Sequence, residues 1–344
     1  MEPIIYVLPV SNQIKLDKGK FHYENNPSPK LLKYGFNNMT EQLDLESITI
    51  VPQYQAALGF GFEKKNENMM ISSNMSEFFK ISDVDVTFVE FWEILILFGF
   101  LTRDQNIYTS HPKTIEDVTK TFQSTSGSKY NYQINGKNTT SLVVFKYGDS
   151  NVEVDENAGI QLLSNNLEKL LTIQDKGASM ILQLFGLQTQ ISAEIVYYLS
   201  SLYNEAYLIK PLVISELSNS RYIVLKDLKE LITSIPKFNS SSDTYLTSIG
   251  LKPIPIGIDN IIQCMNSFIM PIRQNKYYQI KKYMNTKVYE GGTYHEMIHV
   301  QNQNINNWTK FFSNFDNMNK IFDQSLKKSM SKCTDYQQLL ELLV

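Results

Sequence analysis

The chain has 344 residues and a formal net charge of −3, from 32 Lys and Arg against 35 Asp and Glu. That length can bury a sizeable core, and the near-balanced charge gives no global signal for nucleic acid, so an RNA site would have to be local. The two cysteines, Cys264 and Cys333, are far apart in sequence, which excludes a disulfide framework and a thiolate zinc site and suits a reducing compartment. No apolar run approaches the roughly 18 residues of a membrane span, and the opening residues lack the basic start and cleavage site of a signal peptide.

Residues 4–10 read as an edge strand, followed by a Pro/Asn-rich loop at 25–29, a short helix at 31–44 and a strand at 48–51. Gly59-Phe60-Gly61 is a lone Gly-x-Gly followed by Glu63-Lys64-Lys65, which opens no apolar-faced helix. It is therefore no convincing cofactor loop. Residues 76–100 form a long apolar-faced region in which Phe88, Phe91, Trp92 and Leu95 are core rather than a base-stacking platform. Residues 102–140 read as loops with one short helix at 115–122, and 141–145 as a strand. The helix over 155–173 places Ile160, Leu163, Leu167, Leu170 and Leu171 on one side and closes on an Asp175-Lys176-Gly177 turn.

Residues 178–229 carry the densest pattern. Residues 179–185 are a buried strand between two glycines. Ile191, Ile195, Val196, Leu199 and Leu202 then make one helix face, with Ser192 or Thr189 as cap and Glu194 early in the helix. Apolar runs at 207–209 and 222–225 follow, separated by a loop too short for a crossover helix. They are expected to be antiparallel neighbours. After a Ser-rich linker at 239–243 the chain reads as helical, over 261–270, 274–284, 295–315, 318–330 and 336–343. Lys276, Lys281, Lys282 and Lys287 lie among Tyr277, Tyr278 and Tyr283, a pattern that suits a solvated face or a nucleic-acid backbone.

Lys210-Pro211, Ser215, Ser218-Asn219-Ser220 and Tyr222-Ile223-Val224-Leu225-Lys226 recur in the order found near the end of FtsJ-like ribose 2′-O-methyltransferases. The stretch over about 140–230 resembles that family. The resemblance implies an α/β fold, a class I methyltransferase-like (Rossmann-like) sheet ending in an antiparallel strand pair, with a helical C-terminal region added. The expected division is an N-terminal extension over 1–75, a methyltransferase-like domain over 76–235 and a helical region over 236–344.

Family chemistry asks for a mid-strand lysine, an acid after a neighbouring strand and a glutamate in the loop before the last strand. Gln183 stands at the lysine position, and an amide cannot carry the charge that lowers a neighbouring pKa. Arg221 stands at the glutamate position. Lys146 follows the strand where the acid belongs, with Asp149 as a remnant acid shortly after. The expectation is an eroded site: no catalytic residue and no cofactor.

The eroded frame is similar to the small, non-catalytic subunits of poxvirus-type mRNA capping enzymes. Ser28-Pro29 with Tyr34-Gly35, Gln183-Leu184-Phe185-Gly186 and the leucine-rich 339–343 support that likeness. It implies a viral regulatory subunit in the host cytoplasm or virion. Its partner would be the large catalytic capping subunit, whose guanine-N7 methyltransferase domain it stimulates. The alternative is an active cap-specific mRNA 2′-O-methyltransferase using S-adenosylmethionine. A second alternative is a zinc metallopeptidase, because His295-Glu296-Met297-Ile298-His299 matches H-E-x-x-H, although Thr293 and Glu296 also make a capping box.

Overall fold

The computed structural model describes residues 3–25, 79–80, 84–136, 140–147, 156–214, 218–236, 238, 244–286, 299, 303 and 306–343. Seven strands form the central sheet: β1 (Ile4–Leu8), β3 (Gln105–Thr109), β4 (Tyr132–Ile134), β5 (Thr140–Phe145), β6 (Gln174–Phe185), β7 (Tyr203–Lys210) and β8 (Ser220–Leu228). Their order is β1-β7-β8-β6-β5-β3-β4. β4, β3, β5 and β6 run parallel, whereas β8 is antiparallel to both β6 and β7, and β1 is antiparallel to β7. The result is a mixed, mostly parallel Rossmann-like sheet. A separate ribbon pairs β2 (His22–Asn25) with β9 (Thr244–Ser248).

Both faces of the sheet are covered, which explains why β6 reads as a continuous apolar run rather than an alternating one. Successive residues still sort by period two. Met180, Leu182, Ile223 and Leu225 join one core with Leu163, Leu167, Ile191, Ile195, Ile258 and Ile262. Ile181, Tyr222 and Val224 join the other with Trp92, Leu95, Ile115, Trp308 and Phe312. The first core is thus built with the helices α3 (Glu156–Thr172), α4 (Gln190–Leu202) and α5 (Ile256–Thr286). The second is built with α1 (Val86–Leu97), α2 (Pro112–Ser126), a helical stretch over 306–312 and the start of α6 (Met318–Leu343). Tyr6, Leu182 and Ile262 share one core, so the packing spans all three ranges expected from sequence.

Three helix starts have a local cause. Asp85 caps α1 by accepting from Phe88 N at 2.6 Å. Pro112 opens α2, where its missing N–H costs nothing, and Gly127 at φ 69° ends it in the left-handed region. Thr189 caps α4 by accepting from Ser192 N. α1 is apolar around nearly its whole circumference because it lies between the sheet and the C-terminal helices.

Three expectations need correction. The stretch read as loops at 102–140 contains β3 and β4. The inward positions of β3 include Gln105 and Thr109, polar residues that hide the alternation. Asp175-Lys176-Gly177 is no turn but part of β6, whose Gln174 pairs with Thr140. The segments expected at 261–270 and 274–284 are one helix running through Pro271, and those at 318–330 and 336–343 are also one.

Candidate functional site

In open α/β sheets, ligands bind outside the carboxyl ends of the parallel strands. Here that edge of β5 and β6 is filled by the chain's own polar groups. Lys146 follows β5 and is buried. Its Nζ lies 3.0 Å from Glu90 Oε2 and donates to Thr87 Oγ1 at 2.9 Å. Tyr222 Oη donates to the same Glu90 oxygen at 2.7 Å. A buried lysine is tolerable only when paired and hydrogen-bonded, and α1 supplies both partners.

Gln183 sits opposite Tyr222 in the β6–β8 ladder. Its Oε1 accepts from Tyr147 N at 2.8 Å and its Nε2 donates to Ser220 Oγ at 3.0 Å. The amide therefore ties β5, β6 and β8 together, using a donor and an acceptor where a lysine would offer only donors. Arg221 alternates to the other face of β8. Its guanidinium is buried and donates to Asn266 Oδ1 at 2.5 Å, and Asn266 Nδ2 donates to Leu187 O at 2.9 Å. Of the three positions expected from the resemblance to have lost their chemistry, Lys146 and Gln183 are brought together through Tyr147 and Tyr222, and Arg221 lies on the other face, toward α5. Asp149 and the Gly59-Phe60-Gly61 turn lie outside the described residues.

Two buried acids complete this edge and were not singled out as site residues by sequence. The Glu156 carboxylate occupies the N-terminal end of α4, accepting from Gln188 N at 3.0 Å, Thr189 N at 2.9 Å, Thr189 Oγ1 at 2.7 Å and Ser192 Oγ. This is where a helix would hold an anionic ligand. Gly186, at φ 79°, permits the approach, since a Cβ there would meet Glu156 Oε2 at 2.1 Å. The readable signal was Gly186 followed by the Thr189 cap.

Glu93 is the second acid. It sits one turn after Glu90 and is fully buried. Its Oε1 accepts from Leu212 N at 2.7 Å and its Oε2 from Trp308 Nε1 at 3.0 Å. Burial pushes its carboxyl up to about 7, against the opposing pull of these donors. The Lys210-Pro211 corner beside it is held by Lys210 Nζ donating to Ser218 O at 3.1 Å.

A cavity lined by Gly159, Gln183, Phe185, Leu187 and Ser192 leaves about 10 Å³ for the centre of a water molecule, room for about one water. Of the peptidase motif, His295 and Glu296 lie outside the described residues, and His299 is exposed and hydrogen-bonded to Gln303 at 2.9 Å. No group of three or more His, Cys, Asp or Glu suited to a metal ion occurs among the described residues. No helix among them is long and apolar enough to cross a membrane.

Fold and site together define an α/β protein with a Rossmann-like sheet whose strand ends are occupied by buried, mutually bonded polar side chains. No protein-family model matches the chain. It is 39% identical over 352 residues to "Uncharacterized protein R383" of Acanthamoeba polyphaga mimivirus, an alignment covering 99% of this chain and 99% of that protein. The chain belongs to the family of that mimivirus protein.

Proposed function

We propose that this chain is a methyltransferase-like protein without transfer chemistry, acting as the regulatory subunit of a viral mRNA capping enzyme. The observation that carries this reading is the state of the three positions where chemistry would sit. Lys146 is spent on Glu90, Gln183 on Ser220 and the Tyr147 amide, and Arg221 on Asn266. None is left facing an open crevice, and Glu156 fills the helix end beside them. The antiparallel β8 between the parallel β6 and β7 suits the methyltransferase-like sheet that the resemblance implies. The mimivirus relative supports a viral setting.

Such a subunit acts by binding the active conformation of its partner more tightly than the inactive one. A roughly tenfold stimulation needs only about 1.4 kcal/mol of differential binding. The test is guanine-N7 methyl transfer by the large capping subunit encoded in the same genome, measured with and without this chain. A rise of about tenfold or more in kcat/KM is expected. No change in rate and no complex on gel filtration would overturn the proposal. Micromolar binding of S-adenosylmethionine, with 2′-O-methylation of capped RNA by this chain alone, would replace it with the enzyme reading.

A further inference from the structure

Cys264 and Cys333, far apart in sequence, meet in the fold. Cys264 lies on α5 and Cys333 on α6, and both are buried. Cys264 Sγ is 3.7 Å from the Cys333 carbonyl oxygen, and the Cys333 thiol is near enough to help push the Cys264 thiol up. The helices are in close register here, since Lys332 Nζ lies 3.5 Å above the Phe268 ring. Both helices also cover the outer side of β1. Ser329 Oγ accepts from Ile5 N at 3.2 Å. Tyr6 Oη, which has no hydrogen-bond partner among the described residues, lies near both sulfurs.

The geometry points to a redox pair: we propose that Cys264 and Cys333 form a reversible disulfide that joins α5 to α6 over the β1 edge of the sheet. The oxidant is a hydroperoxide. One sulfur, as thiolate, attacks the peroxide oxygen, giving a sulfenic acid and releasing water or an alcohol. The second thiol sulfur then displaces the sulfenic hydroxyl, its proton leaving with that hydroxyl as water. Two thiols and one hydroperoxide thus yield one disulfide, one water and one alcohol, or two waters from hydrogen peroxide itself. A thiol reductant returns both thiols.

Burial sets the rate. The thiolate is the nucleophile, and burial pushes the Cys264 thiol well above its ordinary range, so the closed protein reacts slowly. Once formed, the link closes a 69-residue separation and restricts the unfolded chain.

The test uses the full chain, purified under reductant, desalted and exposed to hydrogen peroxide, then alkylated in denaturant and weighed. An intact mass lower by about 2 Da, a cross-linked peptide pair containing Cys264 and Cys333, and full reversal by dithiothreitol are expected. The oxidised chain should melt several degrees above the reduced one. Cys264→Ser and Cys333→Ser should each lose the cross-link. Two alkylated thiols after sustained peroxide, oxygen addition instead of hydrogen loss, or a link between two chains would each overturn the proposal. The wild-type measurement stands even where a serine variant fails to fold.

Discussion

Glu90 and Glu93 lie one turn apart on α1 and are equally buried, yet they have opposite surroundings. Glu90 meets a cation, Lys146, and a phenol, Tyr222. Glu93, one turn further along the same face, accepts from neutral N–H donors, Leu212 N and Trp308 Nε1, and feels the like charge of Glu90. Without a countercharge, desolvation dominates and Glu93 titrates near neutrality. Burial is the largest cause at Glu93, and the neighbouring Glu90 charge adds to it. Glu90 makes an ion pair that joins α1 to the end of β5, and Glu93 a hydrogen-bonded acid that joins the same helix to the loop after β7.

The comparison breaks most visibly if the cation is removed. Lys146→Met leaves Glu90 buried without countercharge and should cost about 3–5 kcal/mol, read from urea unfolding. A loss below about 1 kcal/mol would mean that the pair contributes little to the fold. Tyr222→Phe removes one hydrogen bond to the same carboxylate and should cost about 1.5–3 kcal/mol.

Glu93 sharpens the contrast through pH. Its folded pKa is about 7 against an ordinary 4.5, so between these values the folded state keeps a proton that the unfolded state has released. This group's contribution is therefore fully present below about pH 4.5 and is lost as pH rises toward 7. Glu93→Gln should flatten that part of the stability profile, a difference on the order of 1–3 kcal/mol across the window, while exchanging one of its two acceptors for a donor. An unchanged slope would show that Glu93 does not titrate there. The smallest effect is expected for Thr87→Val, which removes one acceptor from Lys146 and should cost about 1 kcal/mol in the same urea measurement.

Much of the architecture was legible. The apolar run of β6, the three-to-four spacing of α3 and α4 and the Thr189 cap are local signals, and they appear where the pattern places them. The antiparallel β7–β8 pair followed from a loop too short for a crossover. β3 was hidden because its inward side chains include Gln105, whose amide donates to Phe100 O, and Thr109. A polar residue that is satisfied in the core looks like a surface residue in sequence. The site was legible only as substitutions. That Gln183 and Arg221 depart from the pattern of the methyltransferases the stretch resembles could be read directly, but what they bond to could not. Asn266 lies 45 residues beyond Arg221, and Glu90 lies 56 before Lys146. Glu156 escaped notice for the same reason, since its partners are backbone amides of a helix start 32 and 33 residues away.

The seat of β1 has a kinetic side. Ile4 pairs with Lys210, and Ile5 N is held by Ser329, 324 residues away. On a ribosome this strand has no neighbour until β7 is made, and its cover waits for α5 and α6. It is the outermost strand of the sheet at that end, so its unpaired hydrogen-bonding groups wait in the open during most of synthesis. Loop closure of that length makes its docking a late event. A chaperone acting on this chain would then have most to guard at this strand while it waits for β7, α5 and α6.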